Sequence, residues 1–143
     1  MKKKLWSDID RTPRRDPYER AVAALSVSYM SDAKWRKVLG AIADAGIELR
    51  RAVWKFVDSE QLFDWGVPCR SHLLATRLAD GRFQPVEYKR IEWIRFPRHG
   101  RPDAASGDLV AQDIDGLKRV LAACGQVHYT EDEQGLTLYG YGR

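Results

Sequence analysis

The stretch YKRIEWIRFPRHGRP, residues 88–102, decides the fold because it combines the clearest strand pattern of the chain with its densest positive charge. Side chains alternate along its first nine residues, and a period of two is typical of a β-strand. Hydrophobic residues fall on both sides of this strand, with Ile91 and Trp93 on one side and Ile94 and Phe96 on the other. Neither side of the predicted strand therefore faces only solvent, and the order of the strands stays open.

The same stretch holds five basic residues against one acidic residue; the basic residues are Lys89, Arg90, Arg95, Arg98 and Arg101. Residues 103–143, in contrast, hold seven acidic residues and three basic ones. A positive surface attracts acidic partners, but such charges can also pair within the fold or between two copies of the chain. We predict that these five residues bind a partner, on the condition that their charged groups reach water.

Two amphipathic helices are predicted, one on each side of the strand. SDAKWRKVLGAIADAG predicts a helix at about residues 32–45, capped by Ser31 or Asp32 and ended by Gly46. DLVAQDIDGLKRVLAACG predicts a second helix that ends at Gly125. The predicted core combines apolar residues of these helices with residues of the strands: Trp35, Leu39, Ile42, Trp54, Phe56, Ile94, Leu117, Val120 and Leu121.

The remaining pattern predicts three more strands: IELRRAVWKFV, and the pair QVHYT and GLTLYGY joined by a hairpin loop. We expect residues 58–68 to be irregular, residues 71–81 to form a short helix, and residues 98–108 to form a loop. Helices and strands in this order predict an α+β fold. It would have an antiparallel sheet of about four to five strands, with the two main helices packed on one face.

A chain of 143 residues is the size of one domain. We expect residues 1–16 to be a flexible basic arm and residues 17–143 to be a single α+β domain. No apolar run reaches the roughly 20 residues that span a bilayer, and Asp8 and Asp10 interrupt any secretory signal. Together with only two cysteines, this predicts a cytoplasmic protein with no membrane partner.

Candidate chemistry is sparse. Cys69 with His72, and Cys124 with His128, have spacings known from zinc sites, but each pair supplies half of a tetrahedral site, so no metal is predicted. No nucleophile elbow, carboxylate pair or glycine-rich phosphate loop is present, so we assign no catalytic residue and no cofactor. An enzyme of unidentified type remains the second alternative.

Recognition without catalysis is the predicted function, with another protein as the partner. Trp, Tyr and Arg are the residue types enriched at interface hot spots, and Trp65 in FDWGVP is the candidate exposed anchor. The competing interpretation is that Trp65 closes one end of the core. The alternative function is binding of single-stranded nucleic acid through the basic and aromatic surface of residues 88–101. The oligomeric state, including a homodimer, stays open.

Three segments, AKWRKVL, VWKFVD and DGRFQPVEYKRIEWIRFP, resemble a family of small bacterial proteins of unknown function. That family has a Lys-Trp helix start followed by an Ile-Glu-Trp-Ile strand, and the similarity covers about residues 32–97. The residues that carry it are Lys34, Trp35, Ile91, Glu92, Trp93 and Ile94. The family brings no known activity, cofactor or catalytic residues, so the resemblance implies only a bacterial source and a compact stand-alone domain. By analogy of size and class it suggests an immunity-like role, in which a toxin is neutralised by direct binding.

Overall fold

The computed structural model describes residues 17–79, 85–100 and 110–142. Within these ranges it contains three α-helices and a five-stranded antiparallel sheet, which confirms the predicted α+β class. In chain order the elements are α1 (Pro17–Ala23), β1 (Val27–Ser28), α2 (Asp32–Asp44), β2 (Arg51–Phe56), β3 (Leu62–Gly66), β4 (Arg77–Leu78), β5 (Val86–Glu87), β6 (Ile91–Pro97), β7 (His99–Gly100), β8 (Val110–Ala111), α3 (Ile114–Ala123), β9 (Tyr129–Glu131), β10 (Gly135–Tyr139) and β11 (Tyr141–Gly142).

The central sheet has the strand order β3-β2-β6-β10-β9, so β6 lies in the middle. Every neighbouring pair in this sheet is antiparallel. The short strands form three additional pairs, which are β1 with β11, β4 with β5, and β7 with β8. The pairing of β1 with β11 brings the segment before α2 against the C-terminal end of the described chain.

The helix predicted at about residues 32–45 is α2, and the second predicted helix is α3, which ends shortly before Gly125. The Ser31 hydroxyl accepts a hydrogen bond of 3.1 Å from the Lys34 amide at the start of α2. The Asp113 carboxylate accepts one of 2.8 Å from the Gly116 amide at the start of α3. Caps of this kind satisfy amide groups that have no partner within the helix. Gly46 follows α2 with φ of +67°, a left-handed conformation that side chains other than glycine rarely adopt.

The core lies between the two helices and one face of the sheet. On that face Trp54, Ile94, Phe96, Leu136 and Leu138 are all at most 1% exposed. They belong to the same hydrophobic cluster as the buried residues of the helices, which are Trp35, Val38, Leu39, Ile42, Ile114, Leu117 and Leu121. All the predicted core residues except Val120 are buried members of this cluster. Val120 is half-buried and packs against the cluster from its margin.

The predicted regular alternation along residues 88–96 is wrong at its start. Residues 88–90 form a turn of 3-10 helix, and β6 begins only at Ile91. Phe56 pairs with Ile91, while the preceding residue of β2, Lys55, pairs with Trp93. The residue between Ile91 and Trp93 is therefore an extra one, a β-bulge, and such a residue resets the alternation. As a result Ile91 is fully buried in the core and does not share a side with Trp93.

Two further predictions of local structure are also wrong. Residues 58–68 contain β3, whose five residues pair with β2, although Asp64 and Gly66 resemble turn residues. In the segment 71–81, Leu78 lies in β4 instead of a helix and is 2% exposed. Pairing with neighbouring strands and burial outweigh local preference in both segments.

At the start of the predicted loop of residues 98–108, His99 and Gly100 form β7, which pairs with β8 after the loop. The rest of that loop lies outside the described residues, as do the predicted arm at residues 1–16 and Gly81.

Candidate functional site

The face of the sheet opposite the core has a different composition, and we call it the outer face. The strand register places Lys55, Trp93 and Tyr139 side by side on β2, β6 and β10. The next row across the sheet contains Val53, Arg95, Thr137 and Thr130. Because side chains alternate along a strand, these residues point away from the α2 and α3 side of the sheet.

A buried ion pair lies on the outer face. The Lys55 ammonium group donates to the Glu92 carboxylate at 3.0 Å and to the backbone carbonyl of Phe56 at 2.8 Å. The side chains of Lys55 and Glu92 are only 7% and 4% exposed. Glu92 is the bulge residue of β6, so the bulge turns its carboxylate toward Lys55. Because an isolated buried charge is costly, each of these two residues depends on its partner.

Arg95 occupies the middle of the outer face. Its guanidinium carbon lies 5.3 Å from the centre of the Trp93 ring, and its Nε donates to the Thr137 hydroxyl at 3.2 Å. Arg51, also on this face, is paired with Asp64 at 2.8 Å. Across the described ranges no carboxylate forms an ion pair with Arg95, so its contacts there are with neutral groups.

A pocket of about 350 Å³ opens at the end of the outer face, beside β11. Most of its lining is aromatic; the lining residues are Tyr29, Glu92, Trp93, His128, Tyr129, Thr130, Tyr139, Tyr141 and Gly142. The rings of Tyr29 and His128 stack with their centres 3.7 Å apart and their planes 13° apart. The hydroxyl groups of Thr130 and Tyr139 are 3.2 Å apart. We call this site the aromatic pocket.

Tyr141 anchors one wall of the aromatic pocket. Its hydroxyl group donates to the Lys89 carbonyl at 2.6 Å and lies 3.2 Å from the hydroxyl of Tyr18. Burial, followed by the hydrogen bond with Tyr18, raises the pKa of the Tyr141 phenol above its ordinary value of 10.0. The phenol is therefore neutral over the whole physiological range and can serve as a fixed wall.

The predicted basic residues are divided between several places. At the start of β6, Lys89 and Arg90 lie over the ring of Tyr18, at 5.1 Å and 5.4 Å from its centre. Arg90 also forms an ion pair with Asp58 and lies 3.6 Å from Glu87. The Lys89 ammonium group is 3.9 Å from Glu87 and half of its side chain is exposed.

Arg98 lies at the other end of β6 and is neutralised by the acidic C-terminal part of the chain. Its guanidinium group pairs with Glu131 and donates to the Asp132 carbonyl at 3.2 Å. Glu131 also binds Lys118 of α3 at 2.9 Å, and hydrogen bonds from Lys118 and then Arg98 lower the pKa of this carboxyl. Seven residues of β6 separate the two ends by roughly 23 Å. The described cations therefore do not form one continuous surface, and Arg101 lies outside the described residues.

Trp65 lies in β3 and not in a turn. Its ring centre is 5.8 Å from that of Trp54, 5.4 Å from Phe56 and 5.1 Å from Phe63. The ring is half-buried at the margin of the core, where the competing interpretation of the sequence placed it. Its predicted role as a partner anchor stays a prediction.

The candidate metal ligands do not converge. Cys69 is exposed, and its amide donates to His72 Nδ1 at 3.3 Å, whereas Cys124 is buried in the core. Among the described residues, no three His, Cys, Asp or Glu side chains are placed to hold a metal ion.

Sequence reasoning missed the aromatic pocket. Tyr29, His128 and Tyr141 come from separate segments that only the pairing of β1 with β11 and the β9–β10 hairpin bring together. One signal was present: in GLTLYGY, Leu136 and Leu138 alternate with Thr137 and Tyr139, which places Tyr139 opposite the core.

No protein-family model matches this chain, and no curated protein or solved structure matches it either. The resemblance to the family of small bacterial proteins therefore stays an expectation. None of the helices in the described ranges has the length and apolar character needed to cross a membrane. The α+β fold and the geometry of the outer face are therefore the observations on which a functional proposal can rest.

Proposed function

We propose that this protein acts by non-catalytic recognition of another protein, with the outer face as its contact surface. The observation that carries the proposal is the arrangement of Arg95 over Trp93 beside Tyr139. Trp, Tyr and Arg contribute most of the binding energy at protein interfaces when they cluster in this way. A toxin would be one such partner, by analogy with other small α+β proteins.

The proposal narrows the predicted contact surface. Arg90 and Arg98 each pair with a carboxylate of the same chain, so binding a partner through them would first require breaking those pairs. Arg95 has no such cost among the described residues, because its neighbours there are the neutral Trp93 and Thr137. Arg95 is therefore the leading contact residue of the basic segment, and Lys89 is a peripheral one.

Single-stranded nucleic acid is the second candidate partner. Trp93 and Tyr139 are directly opposite each other on neighbouring strands, a position from which two bases can stack on a sheet. However, the carboxylates of Asp64 and Glu92 hold the nearby cations Arg51 and Lys55. Few positive charges are left for phosphates, which favours the protein partner.

The proposal is tested with the full chain as bait in lysate of the source cell, with and without nuclease. Arg95→Ala and Trp93→Ala are the test variants, and Arg98→Ala is the matched control. We expect a nuclease-resistant protein partner whose affinity falls by about tenfold or more in both test variants, with little change in the control.

Two results would count against protein recognition. One is the absence of any nuclease-resistant partner. The other is a partner that binds Arg95→Ala and the wild type equally well. If instead a single-stranded oligonucleotide binds, with affinity that falls steeply as salt rises, the second candidate is correct.

A further inference from the structure

We infer that two copies of this chain pair through β9, edge to edge, and join their five-stranded sheets into one continuous antiparallel sheet. The inference goes beyond the proposed function and does not depend on it, since the ligand of this edge is a second copy of the protein.

β9 has a partner strand on one side only. It ends the strand order of the central sheet in the described ranges, and all three of its residues, Tyr129–Glu131, are exposed. An unpaired strand edge presents a row of backbone N–H and C=O groups that another strand can bind. β9 is therefore a candidate for pairing between two molecules.

The hydrogen bonds at both ends of the β9–β10 ladder fix its alternation. At one end the Tyr139 amide donates to the His128 carbonyl at 2.9 Å. At the other end Asp132 and Gly135 exchange two bonds, of 2.9 Å and 3.3 Å. Hydrogen-bonded pairs alternate with non-bonded pairs along an antiparallel ladder, so the bonded residue of β9 between these two ends is Thr130.

The residues on either side of Thr130 direct their backbone groups away from β10. Tyr129 and Glu131 stand in non-bonded pairs with β10, so their amides and carbonyls point to the open edge. A second β9 strand, antiparallel to the first and centred on Thr130, places Tyr129 of each copy opposite Glu131 of the other. Each of these pairs can then exchange both of its backbone hydrogen bonds. The edge is therefore complementary to itself.

The side chains that meet in this register do not repel each other. On the outer face Thr130 lies opposite its own copy, and His128 lies opposite Asp132, which brings an imidazole beside a carboxylate. On the α3 side Tyr129 lies opposite Glu131, whose charge is held by ion pairs within its own copy. Like charges directly opposite each other destabilise a pair of strands, and this register opposes no such charges.

The other edge of the central sheet, β3, is less suitable for the same contact. Asp64 lies at its centre, and an antiparallel pair of two β3 strands centred there would bring this carboxylate against its own copy. The Asp64 side chain is 63% exposed although it pairs with Arg51, whereas Glu131 of β9 is 27% exposed and is held by two cations. Exposed charge on an edge strand opposes pairing.

The pairing would make the outer face a shared surface. Opposite residues of paired strands point to the same face, so the outer faces of both copies lie on the same side of the joined sheet. Thr130 and His128 line the aromatic pocket, and the second copy adds its own Thr130 and Asp132 beside them. Each copy therefore contributes residues to the pocket of the other.

Sedimentation equilibrium of the full chain tests the inference. A contact through one short strand is small, so we expect a weak dimer that is half formed at about 100 μM protein. Tyr129→Pro removes an outward amide but no bond to β10, and it should weaken the dimer at least about tenfold. Tyr129→Thr keeps this amide and is the matched control, whose dimer should stay within about threefold of the wild type. Equal unfolding midpoints of the two variants show that both fold.

A disulfide across the two-fold axis tests the register. In the proposed pair the two Thr130 Cα atoms lie about 4.5 Å apart, within the range that a disulfide spans. We expect Thr130→Cys, in a Cys69→Ser background that removes the exposed native thiol, to oxidise to a covalent dimer. Glu133→Cys in the same background is exposed in the hairpin turn but lies away from the axis. It should crosslink at least about fivefold less.

Several results would overturn the inference. One is a protein that stays monomeric up to about 1 mM. Another is a dimer that Tyr129→Pro leaves unchanged, which would assign the contact to another surface, or one that Tyr129→Thr weakens equally, which would assign it to the ring. Equal crosslinking of Thr130→Cys and Glu133→Cys would refute the register. Arg95→Ala tests the proposed function and lies outside this contact, so the two proposals can fail separately.

Discussion

The two faces of the central sheet are built from the same strands but are stabilised differently. On the core face Ile94, Phe96 and Leu138 are at most 1% exposed and belong to the hydrophobic cluster. On the outer face Lys55 and Thr137 are nearly as buried, but they are polar and are satisfied by particular partners. Apolar burial is not directional, whereas hydrogen bonds and ion pairs require one geometry. We therefore expect the core face to contribute most of the free energy of folding. The polar contacts of the outer face should instead fix the geometry of its side chains.

The largest effect should come from breaking the ion pair on the outer face. Lys55→Met leaves the Glu92 carboxylate buried without its lysine, and we expect a loss of about 3–5 kcal/mol in the free energy of unfolding. Chemical denaturation at neutral pH measures it. The double variant Lys55→Met/Glu92→Leu should regain at least half of the loss, because no charge is then left unpaired. A single variant as stable as the wild type would show that the pair is not buried in solution.

A substitution on each face of the sheet tests the comparison directly. Ile94→Ala removes a fully buried side chain from the core face and should cost about 2–5 kcal/mol of unfolding free energy. Val53→Ala on the half-buried outer face, in the neighbouring strand, should cost less than about 1.5 kcal/mol. Both values come from denaturant titrations. Equal losses would mean that the outer face is a second core.

A smaller effect is expected at the start of α3, which covers the core face. Asp113→Ala removes the carboxylate that accepts a hydrogen bond from the Gly116 amide. The loss should be about 1 kcal/mol, measured by thermal or chemical unfolding. Asp115→Ala, in the first turn but without the cap bond, is the control and should cost under about 0.5 kcal/mol. A control that costs as much as the test variant would rule out the cap as the cause.

The smallest effect concerns acid stability. Because Lys118 and Arg98 lower the pKa of Glu131 in the folded state, its stabilising contribution is complete above the ordinary value of 4.5. It is lost as the pH falls through the lowered folded pKa. We expect the Tm of Glu131→Gln to fall less steeply than that of the wild type between about pH 5 and about pH 3. Glu133→Gln, in the turn of the same β9–β10 hairpin, should follow the wild type. If Glu131→Gln also follows the wild type, Glu131 contributes nothing to acid stability.

Much of the fold could be predicted from the sequence because it depends on local patterns. The cap at Ser31, the left-handed glycine at Gly46 and the apolar spacing from Trp35 to Ile42 each act within a few residues. The same reasoning failed at β3, where Asp64 and Gly66 resemble turn residues but pair with β2. Pairing with a distant strand outweighed the local preference there.

The candidate site was less predictable than the fold. The sequence alone placed Arg90, Arg95 and Arg98 in one segment, but it could not show that Asp58 and Glu131 bind two of them. The β-bulge at Glu92 also could not be predicted from the sequence. A bulge is defined by the register between two strands, and one extra residue leaves no distinctive pattern of residue types.

The sequence by itself determined the α+β class, the two capped helices, the strand at residues 91–97 and most of the core, because hydrophobic periodicity and capping are short-range effects. Only the tertiary structure decided which charges are neutralised and where aromatic side chains gather. The aromatic pocket joins Tyr29, Trp93 and His128 from distant parts of the chain. Such contacts depend on strand register and on the pairing of oppositely charged residues across the fold, and neither is encoded in any one segment.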